Sequence, residues 1–146
     1  MTPPPPPPAA GNSTPSLNLN VEATPASLSR VRAVLRQFLQ EHDVADDVRA
    51  PALLIVHELT ANAIEHGSRR QDEIELAITL EPETLLIRVL DPARSDQSPR
   101  PLAPDPAHES GRGMLIVDRL AAWHEEMRAG RRQVTVTLPL AASRDR

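Results

Sequence analysis

An acidic and an amide side chain interrupt the most apolar stretch of this chain. Glu58 and Asn62 lie within Leu53–Gly67, a run otherwise dominated by Leu, Val, Ile and Ala. A spacing of four places both side chains on one face of a helix. Burying a carboxylate and a carboxamide is costly unless each is satisfied by a partner. The pair therefore predicts a ligand, a metal ion or an internal hydrogen-bond network, and we interpret it as the magnesium and nucleotide corner of an ATP site.

The two side chains suit different parts of that chemistry. Asn62 offers a neutral carbonyl oxygen, which suits a magnesium ion that also takes phosphate oxygens and waters. Glu58 could hold a metal-bound water or accept a proton from an attacking hydroxyl. The alternative is a structural pair that caps a helix or bonds between helices, and spacing alone leaves both open. His57 and Glu58 also begin the zinc-protease pattern H-E-x-x-H, but position 61 is Ala, so the ligands are too few.

Two further side chains could contact a nucleotide. His66 follows Asn62 by another four residues and could reach a phosphate; its alternative is a favourable charge at a helix C-terminus. Asp91 follows the apolar run 85–90, so it lies at the end of a predicted strand. A carboxylate there can accept a hydrogen bond from an exocyclic amine. The alternative for Asp91 is an ordinary turn-initiating residue before Pro92.

A glycine pair marks a possible phosphate contact. Gly111, Arg112 and Gly113 lie at the start of a predicted helix, where backbone N–H groups lack intrahelical partners. Arg112 adds a positive charge for phosphate. The Lys-Ser/Thr element of a Walker motif is absent. The alternative is a simple turn, since glycine often precedes a helix.

Hydrophobic periodicity predicts the elements that position these residues. In chain order they are an edge strand over 17–22, a helix over about 25–41, a second helix from Asp46 or Asp47 to His66 ended by Gly67, strands over 73–80 and 84–90, a loop over 91–110, a helix from about 110 to 121, and strands over 125–129 and 133–140 joined by the Gly130-Arg131-Arg132 turn. Hairpins beside clustered helices predict an α+β fold, a two-layer α/β sandwich with a mixed, mainly antiparallel sheet covered by helices.

The domain boundaries follow from composition. Residues 1–16 form a Pro-rich segment that we expect to be a disordered tail, and residues 141–146 a flexible C-terminus, which leaves one domain over 17–140. The loop over 91–110 contains five prolines and no periodicity. A connection of that length is usually a functional lid or a disordered segment.

Composition limits the classes of function. The chain has 16 basic and 20 acidic residues, a net charge of −4, and only one Phe and one Trp, which disfavours nucleic-acid and anionic-membrane partners. It contains no Cys, which excludes disulfides and thiolate metal sites. No segment approaches the roughly 20 apolar residues of a membrane span. We therefore expect a soluble, cytoplasmic protein.

Three blocks in this order carry a family resemblance: H-E-L-T-A-N-A-I-E-H-G (57–67), L-L-I-R-V-L-D-P (85–92) and E-S-G-R-G-M-L-I-V-D-R-L-A (109–121). Together they resemble the anti-sigma-factor serine/threonine kinases of the RsbW/SpoIIAB type, within the GHKL or histidine-kinase-like ATPase superfamily. The resemblance covers roughly residues 17–140. It implies the histidine-kinase-like ATPase fold with ATP and Mg²⁺ as cofactors.

The resemblance also implies roles for single residues. Glu58 matches the presumed general base, Asn62 the magnesium ligand and Asp91 the aspartate that binds the adenine amino group. Thr137 falls near a polar residue that many superfamily members keep beside the adenine. The implied ATP-binding set is Asn62, His66, Asp91, Gly111, Arg112, Gly113, Met114 and Thr137, with the three residues from Gly111 to Gly113 matching the second glycine box.

One departure concerns the first glycine box, which reads D-x-G-x-G in the wider superfamily. Here Asp91 is followed by Pro-Ala-Arg-Ser, without glycine, and side chains at those positions could crowd a nucleotide.

The resemblance implies a kinase that phosphorylates an anti-sigma-factor antagonist of the STAS type, sequesters a sigma factor and forms a homodimer. The alternative, motivated by the missing glycines, is a catalytically weak or inactive binding module that acts by sequestration only. ATP hydrolysis coupled to a conformational cycle is a third hypothesis.

Overall fold

The computed structural model describes residues 14–66, 72–91, 109–128 and 130–140. The elements are β1 (Ser16–Glu22), α1 (Ala26–Glu41), α2 (Asp46–His66), β2 (Glu73–Leu80), β3 (Thr84–Asp91), α3 (Glu109–Leu120), β4 (Ala122–Arg128) and β5 (Arg131–Pro139). Expectations about residues 1–13, about Gly67, about the loop between Asp91 and Glu109 and about residues 141–146 lie outside the described part of the chain.

The five described strands form one sheet in the order β1-β2-β3-β5-β4, and every ladder is antiparallel. Ile87 at the sheet centre lies opposite Ile78 on one side and Val136 on the other, and all three are fully buried. Because side chains alternate along a strand, this register gives the sheet one apolar face. The helices cover that face, which confirms the α+β two-layer sandwich. No parallel pair occurs among the described strands.

α1 is amphipathic, and its apolar stripe faces the core. Val31, Leu35 and Leu39 recur at a spacing of four and are buried. The helix entry is fixed by Ser27, whose hydroxyl donates to the Glu22 carbonyl at 2.7 Å. The predicted helix over about 25–41 is thus observed over Ala26–Glu41.

A left-handed residue ends α1 and turns the chain into α2. Asp43 has φ of 57°, its N–H donates to the Gln40 carbonyl, and the Val44 N–H donates to the Leu39 carbonyl at 3.0 Å. This is the Schellman arrangement, in which the residue after the turn packs back on the helix. Val44 is buried accordingly.

α2 is apolar nearly all round and lies between α1, α3 and the sheet. Its buried residues include Ala52, Ile55, Val56, Leu59 and Ala63. Because α2 is buried on several sides, some of its central polar side chains lie in the interior. Within the described residues, no helix is long and apolar enough to cross a membrane.

The C-terminal hairpin differs most from its prediction. β4 begins at Ala122 rather than 125, and β5 begins at Arg131 rather than Gln133. The turn is therefore shorter than the predicted Gly130-Arg131-Arg132, with Gly130 at φ of 78°, a value that glycine adopts without strain. Both arginines belong to the strand, so Arg132 has the same orientation as Val134 and Val136.

We expect Asp43→Gly to raise the free energy of unfolding by roughly 0.5 to 1 kcal/mol, because glycine adopts the left-handed conformation without the strain of a Cβ. Asp47→Gly, in the right-handed first turn of α2, is the matched control and should lower it by about 0.5 to 1 kcal/mol, because glycine is a weaker helix former and the change removes a negative charge from the helix N-terminus. Urea denaturation measures both. A loss of stability in Asp43→Gly would show that the Asp43 side chain, rather than its backbone, stabilises this turn.

Candidate functional site

Asn62 brings a polar acceptor into the interior from α2. Its residue is 3% exposed, and its Oδ1 atom is buried without a hydrogen-bond partner. Thr60 on the same helix shows the ordinary solution, since its hydroxyl donates to the Val56 carbonyl at 2.7 Å. A buried acceptor without a donor is costly, and such exceptions need an explanation. Asn62 therefore has the property expected of a side chain that awaits a ligand.

Glu58 lies one turn before Asn62 and is half-buried. The continuous helix from Asp46 to His66 keeps the two residues on the same face, as the spacing predicted. His57 is half-buried as well, and its Nδ1 atom has no hydrogen-bond partner. α2 thus carries a carboxylate next to the buried amide oxygen.

Asp91 is the last residue of β3 and lies on the sheet face that the helices cover. It is 2% exposed, and its Oδ2 accepts a hydrogen bond from Arg132 Nη2 at 2.9 Å. Its Oδ1 is buried without a partner. Asp91 and Arg132 lie directly opposite each other in the β3–β5 register. One oxygen of the carboxylate is therefore fixed by the protein and the other remains able to accept a hydrogen bond.

Burial raises the pKa of the Asp91 carboxyl above its ordinary value. The charge of Arg132 and its hydrogen bond oppose that rise, as does the charge of Arg131, whereas Asp72 adds to it. Loss of the Arg132 contact would remove the largest effect that lowers the pKa of Asp91, so desolvation would raise that pKa further. The ionised form of Asp91, which is the form that accepts two hydrogen bonds, thus depends on Arg132.

Arg132 connects Asp91 to β4. Its Nε lies 3.7 Å from Glu125 Oε2, and its side chain is almost as buried as that of Asp91. Arg132 is 8% exposed as a residue. Asp91, Arg132 and Glu125 therefore form a three-strand group, which we call the carboxylate–arginine cluster.

The connections place Asn62 and Asp91 toward the same end of the domain. Only six residues separate the end of α2 at His66 from the start of β2 at Glu73. The antiparallel β2–β3 ladder pairs Glu75 with Leu90, so the beginning of β2 lies beside the end of β3. α2 also packs directly on β3. The predicted magnesium ligand and the predicted adenine ligand thus belong to one region.

α3 supplies backbone donors next to α2. Gly111, Arg112 and Gly113 lie in its first turns, and the helix packs against α2. The first N–H groups of a helix, which here include that of Gly111, have no intrahelical partner. A helix N-terminus is a common site for phosphate. The side chains of His66 and of residues 109–114, Met114 among them, lie outside what the structure describes.

Thr137 lies on the wrong face of the sheet to join this region. In the β3–β5 register it is opposite Leu86, whereas Asp91 is opposite Arg132. Residues an odd number apart on one strand point to opposite faces. The polar side chain of β5 that contacts Asp91 is therefore Arg132, and the structure does not bring Thr137 to the predicted site.

These side chains fit a nucleotide with its magnesium ion. Asp91 Oδ1 can accept a hydrogen bond from an amine, and Asn62 Oδ1 can ligate a hard cation. Among the described residues, no group of three or more His, Asp or Glu side chains could hold a metal ion. A single amide oxygen suits magnesium that takes most of its ligands from phosphate and water.

A family model for the histidine kinase-like ATPase domain matches residues 21–139 of the chain. This chain belongs to that family. The match includes α1 to β5 and every described residue of the candidate site.

Solved structures show the same fold at low sequence identity. The RsbU and RsbW domains of Rv1364c from Mycobacterium tuberculosis match with a TM-score of 0.63 and 21% identity over 86% of this chain and 32% of that one. The SiaB–SiaC complex from Pseudomonas aeruginosa matches with a TM-score of 0.59 and 14% identity over 84% of this chain and 89% of that one. A blue-light activated histidine kinase domain from Erythrobacter litoralis EL346 matches with a TM-score of 0.53 and 19% identity over 80% and 60%. The chain thus spans about a third of the first of these proteins. A search of curated proteins finds no match.

Arg132 is the residue of this histidine kinase-like ATPase domain that the sequence interpretation missed. It was assigned to a turn because it follows Gly130, a common turn residue. The alternation of side chains along the strand could have indicated its position, because Arg132 lies an even number of residues from Val134, Val136 and Leu138 and therefore faces the core with them. An arginine at a core-facing strand position requires a buried acidic partner.

We expect Asn62→Leu to raise the free energy of unfolding by about 1 kcal/mol, because it removes a buried acceptor that lacks a donor. The same change should abolish magnesium-dependent nucleotide binding. Thr60→Val, at an equally buried but hydrogen-bonded position, is the control and should leave binding intact. Thermal denaturation and calorimetric titration measure the two effects. A strongly destabilised Asn62→Leu protein would indicate that the amide serves an internal network instead.

Proposed function

We propose that this domain is an ATP-binding serine/threonine protein kinase that acts as an anti-sigma factor. It would phosphorylate an antagonist protein of the STAS type and sequester a sigma factor in a partner-switching equilibrium. The observation that carries the ATP site is the pair of buried acceptors without donors, Asn62 Oδ1 and Asp91 Oδ1, on two packed elements of a histidine kinase-like ATPase domain. The kinase class and the partners rest on the sequence resemblance in the three motif blocks.

The binding roles follow from the chemistry of each group. Asp91 Oδ1 accepts a hydrogen bond from the amino group of the base, and the N-terminal backbone of α3 contacts phosphate. Asn62 would hold the magnesium ion through its Oδ1 atom, and the ion would supply charge neutralisation at the phosphates when bound.

Glu58 is the proposed catalytic residue. In the transfer, the hydroxyl oxygen of the antagonist Ser or Thr forms a bond to the γ-phosphorus while the bond to the β,γ-bridging oxygen breaks. The hydroxyl proton passes to the Glu58 carboxylate, and ADP leaves with the bridging oxygen. The half-buried position of Glu58, one turn from Asn62, supports this role because it places the base beside the proposed magnesium ligand.

The fold neighbours support a partner-switching role. One is a structure of RsbU and RsbW domains, and another is a complex of SiaB with SiaC. Phosphorylation adds close to two negative charges to the antagonist, which weakens a complex with an acidic partner. This chain carries a net charge of −4, so repulsion would favour release of the phosphorylated antagonist.

A second candidate is a binding module that acts by sequestration only. One observation favours it: no glycine follows Asp91 through Ser95, so side chains occupy the positions of the first glycine box. A site crowded in this way could have lost nucleotide while keeping its protein-binding surface.

Calorimetric titration with Mg-ATP separates the two candidates. For the kinase we expect binding at micromolar affinity in the presence of magnesium and much weaker binding with excess EDTA, because Asn62 acts through the ion. Titration with magnesium alone should give no signal. Absence of ATP binding up to millimolar concentration would support the sequestration module and remove the kinase proposal.

We expect Glu58→Gln to bind Mg-ATP and the antagonist with unchanged affinity but to transfer phosphate about 10² to 10⁴ times more slowly, because it cannot accept the proton. Glu65→Gln, at an exposed position on the same helix, is the matched control and should transfer at the normal rate. Transfer from labelled ATP to the antagonist measures both. Normal transfer by Glu58→Gln would remove Glu58 from the catalytic role.

A further inference from the structure

In the carboxylate–arginine cluster, the two oxygen atoms of Asp91 have different surroundings: one is bonded to Arg132 and the other is not. Arg132 donates only to Oδ2 of Asp91, at 2.9 Å, and Oδ1 is buried without a donor. A guanidinium can bind both oxygens of a carboxylate in a fork, and this one does not. Instead its Nε lies toward Glu125 at 3.7 Å. The guanidinium is therefore shared between two carboxylates on two strands, and one oxygen of Asp91 remains for a third partner.

We propose that Arg132 is a positioning residue that fixes Asp91 so that a single oxygen, Oδ1, is presented to an exocyclic amine, and that it thereby determines the preference of the site for 6-aminopurine over 6-oxopurine nucleotides. Glu125 lies on the other side of the Arg132 guanidinium, with Oε2 at 3.7 Å from Nε, an ion-pair contact without a hydrogen bond. This proposal rests on the proposed nucleotide site, to which it adds the basis of specificity.

Geometry is the first argument for this role. The terminal carboxylate of an aspartate rotates freely unless a partner fixes it. A hydrogen bond from the directly opposite residue of the neighbouring strand fixes Oδ2, and thus also the direction of Oδ1. Arg132 is itself fixed, because it is 8% exposed and lies between Asp91 and Glu125. The binding group is held in place before any nucleotide arrives, which reduces the ordering cost of binding.

Charge is the second argument. A carboxylate accepts a hydrogen bond from the 6-amino group of adenine but offers nothing to the 6-carbonyl of hypoxanthine, which is also an acceptor. A protonated carboxyl could donate to that carbonyl, so the discrimination depends on the ionised form. Arg132 is the main group that opposes the effect of burial on Asp91. It therefore sustains the form of Asp91 that distinguishes the two bases.

Stability alone does not account for the cluster. A buried ion pair contributes little net stability, because the cost of desolvating two charges offsets their attraction. Arg131, the preceding residue, forms the contrasting case. It pairs with Glu75 at 2.6 Å on the opposite face of the sheet, where both side chains are partly exposed. The sequence thus provides two neighbouring arginine–carboxylate pairs, of which only one lies at the site.

The test compares the affinities of ATP and inosine triphosphate, which differ at the 6-position, by calorimetric titration with magnesium. We expect the wild-type protein to prefer ATP by at least about tenfold, as for a hydrogen bond to a charged acceptor. In Arg132→Met the affinity for ATP should fall by about tenfold or more, and that for inosine triphosphate by less than about threefold. Arg131→Met, the matched control, removes a charge that also acts on Asp91 but no hydrogen bond to it, and should change the ratio by less than about threefold.

Two further variants separate positioning from folding. Arg132→Lys retains charge and a donor and should restore most of the ATP preference, whereas Arg132→Gln retains only a donor and should be intermediate. If Arg132→Met does not fold, the affinity ratios of Arg132→Lys and Arg132→Gln test the inference in its place. An equal loss of both nucleotides in Arg132→Met, or an unchanged ratio in both Arg132→Met and Arg132→Gln, would overturn this inference while leaving the ATP site intact. Failure of the wild-type protein to bind either nucleotide would overturn the proposed function and this inference together.

Discussion

The central constraint on this domain is that α2, a helix that is apolar on nearly all sides, carries polar side chains in the interior. α2 packs against α1, α3 and the sheet, so several side chains near its centre, Thr60 and Asn62 among them, are shielded from bulk solvent. Thr60 satisfies its hydroxyl within the helix, but the Asn62 acceptor oxygen finds no donor. The fold therefore keeps an uncompensated polar atom in its core. Such an atom reduces stability, and its retention is understandable when ligand binding recovers the cost.

The sheet contributes a second such atom through a different arrangement. On β3 the alternation of buried residues continues from Leu85, Ile87 and Val89 to Asp91, so a carboxylate takes a position that earlier in the strand holds a hydrocarbon side chain. On the neighbouring strand β5, the same alternation places Arg132 on this face of the sheet. The strand register thus places the positive charge of Arg132 directly opposite the carboxylate of Asp91. Packing and electrostatics use the same positions at this end of the sheet.

Much of this architecture could be predicted from periodicity. The bounds of α1, α2, β2 and β3 were predicted within one residue, because their apolar spacing is regular and Pro or Gly marks several ends. The strands of the β4–β5 hairpin were predicted too short, since Gly130 indicates a turn and the two arginines that follow it carry no apolar pattern. The placement of Thr137 failed for a related reason. Sequence spacing locates a residue along a strand, but the face that it occupies depends on the true strand register.

Arg132 and Glu125 both belong to the β4–β5 hairpin, a contiguous segment at one edge of the sheet. β4 has only β5 as a neighbouring strand within the described sheet, although it also contacts α3, and β5 contacts α2. Arg132 and Glu125 thus belong to a different segment of the chain from α2, the helix that carries Glu58 and Asn62. Under the proposed function, exchange of this one hairpin between related domains would change the surroundings of Asp91 while the residues of α2 stayed the same.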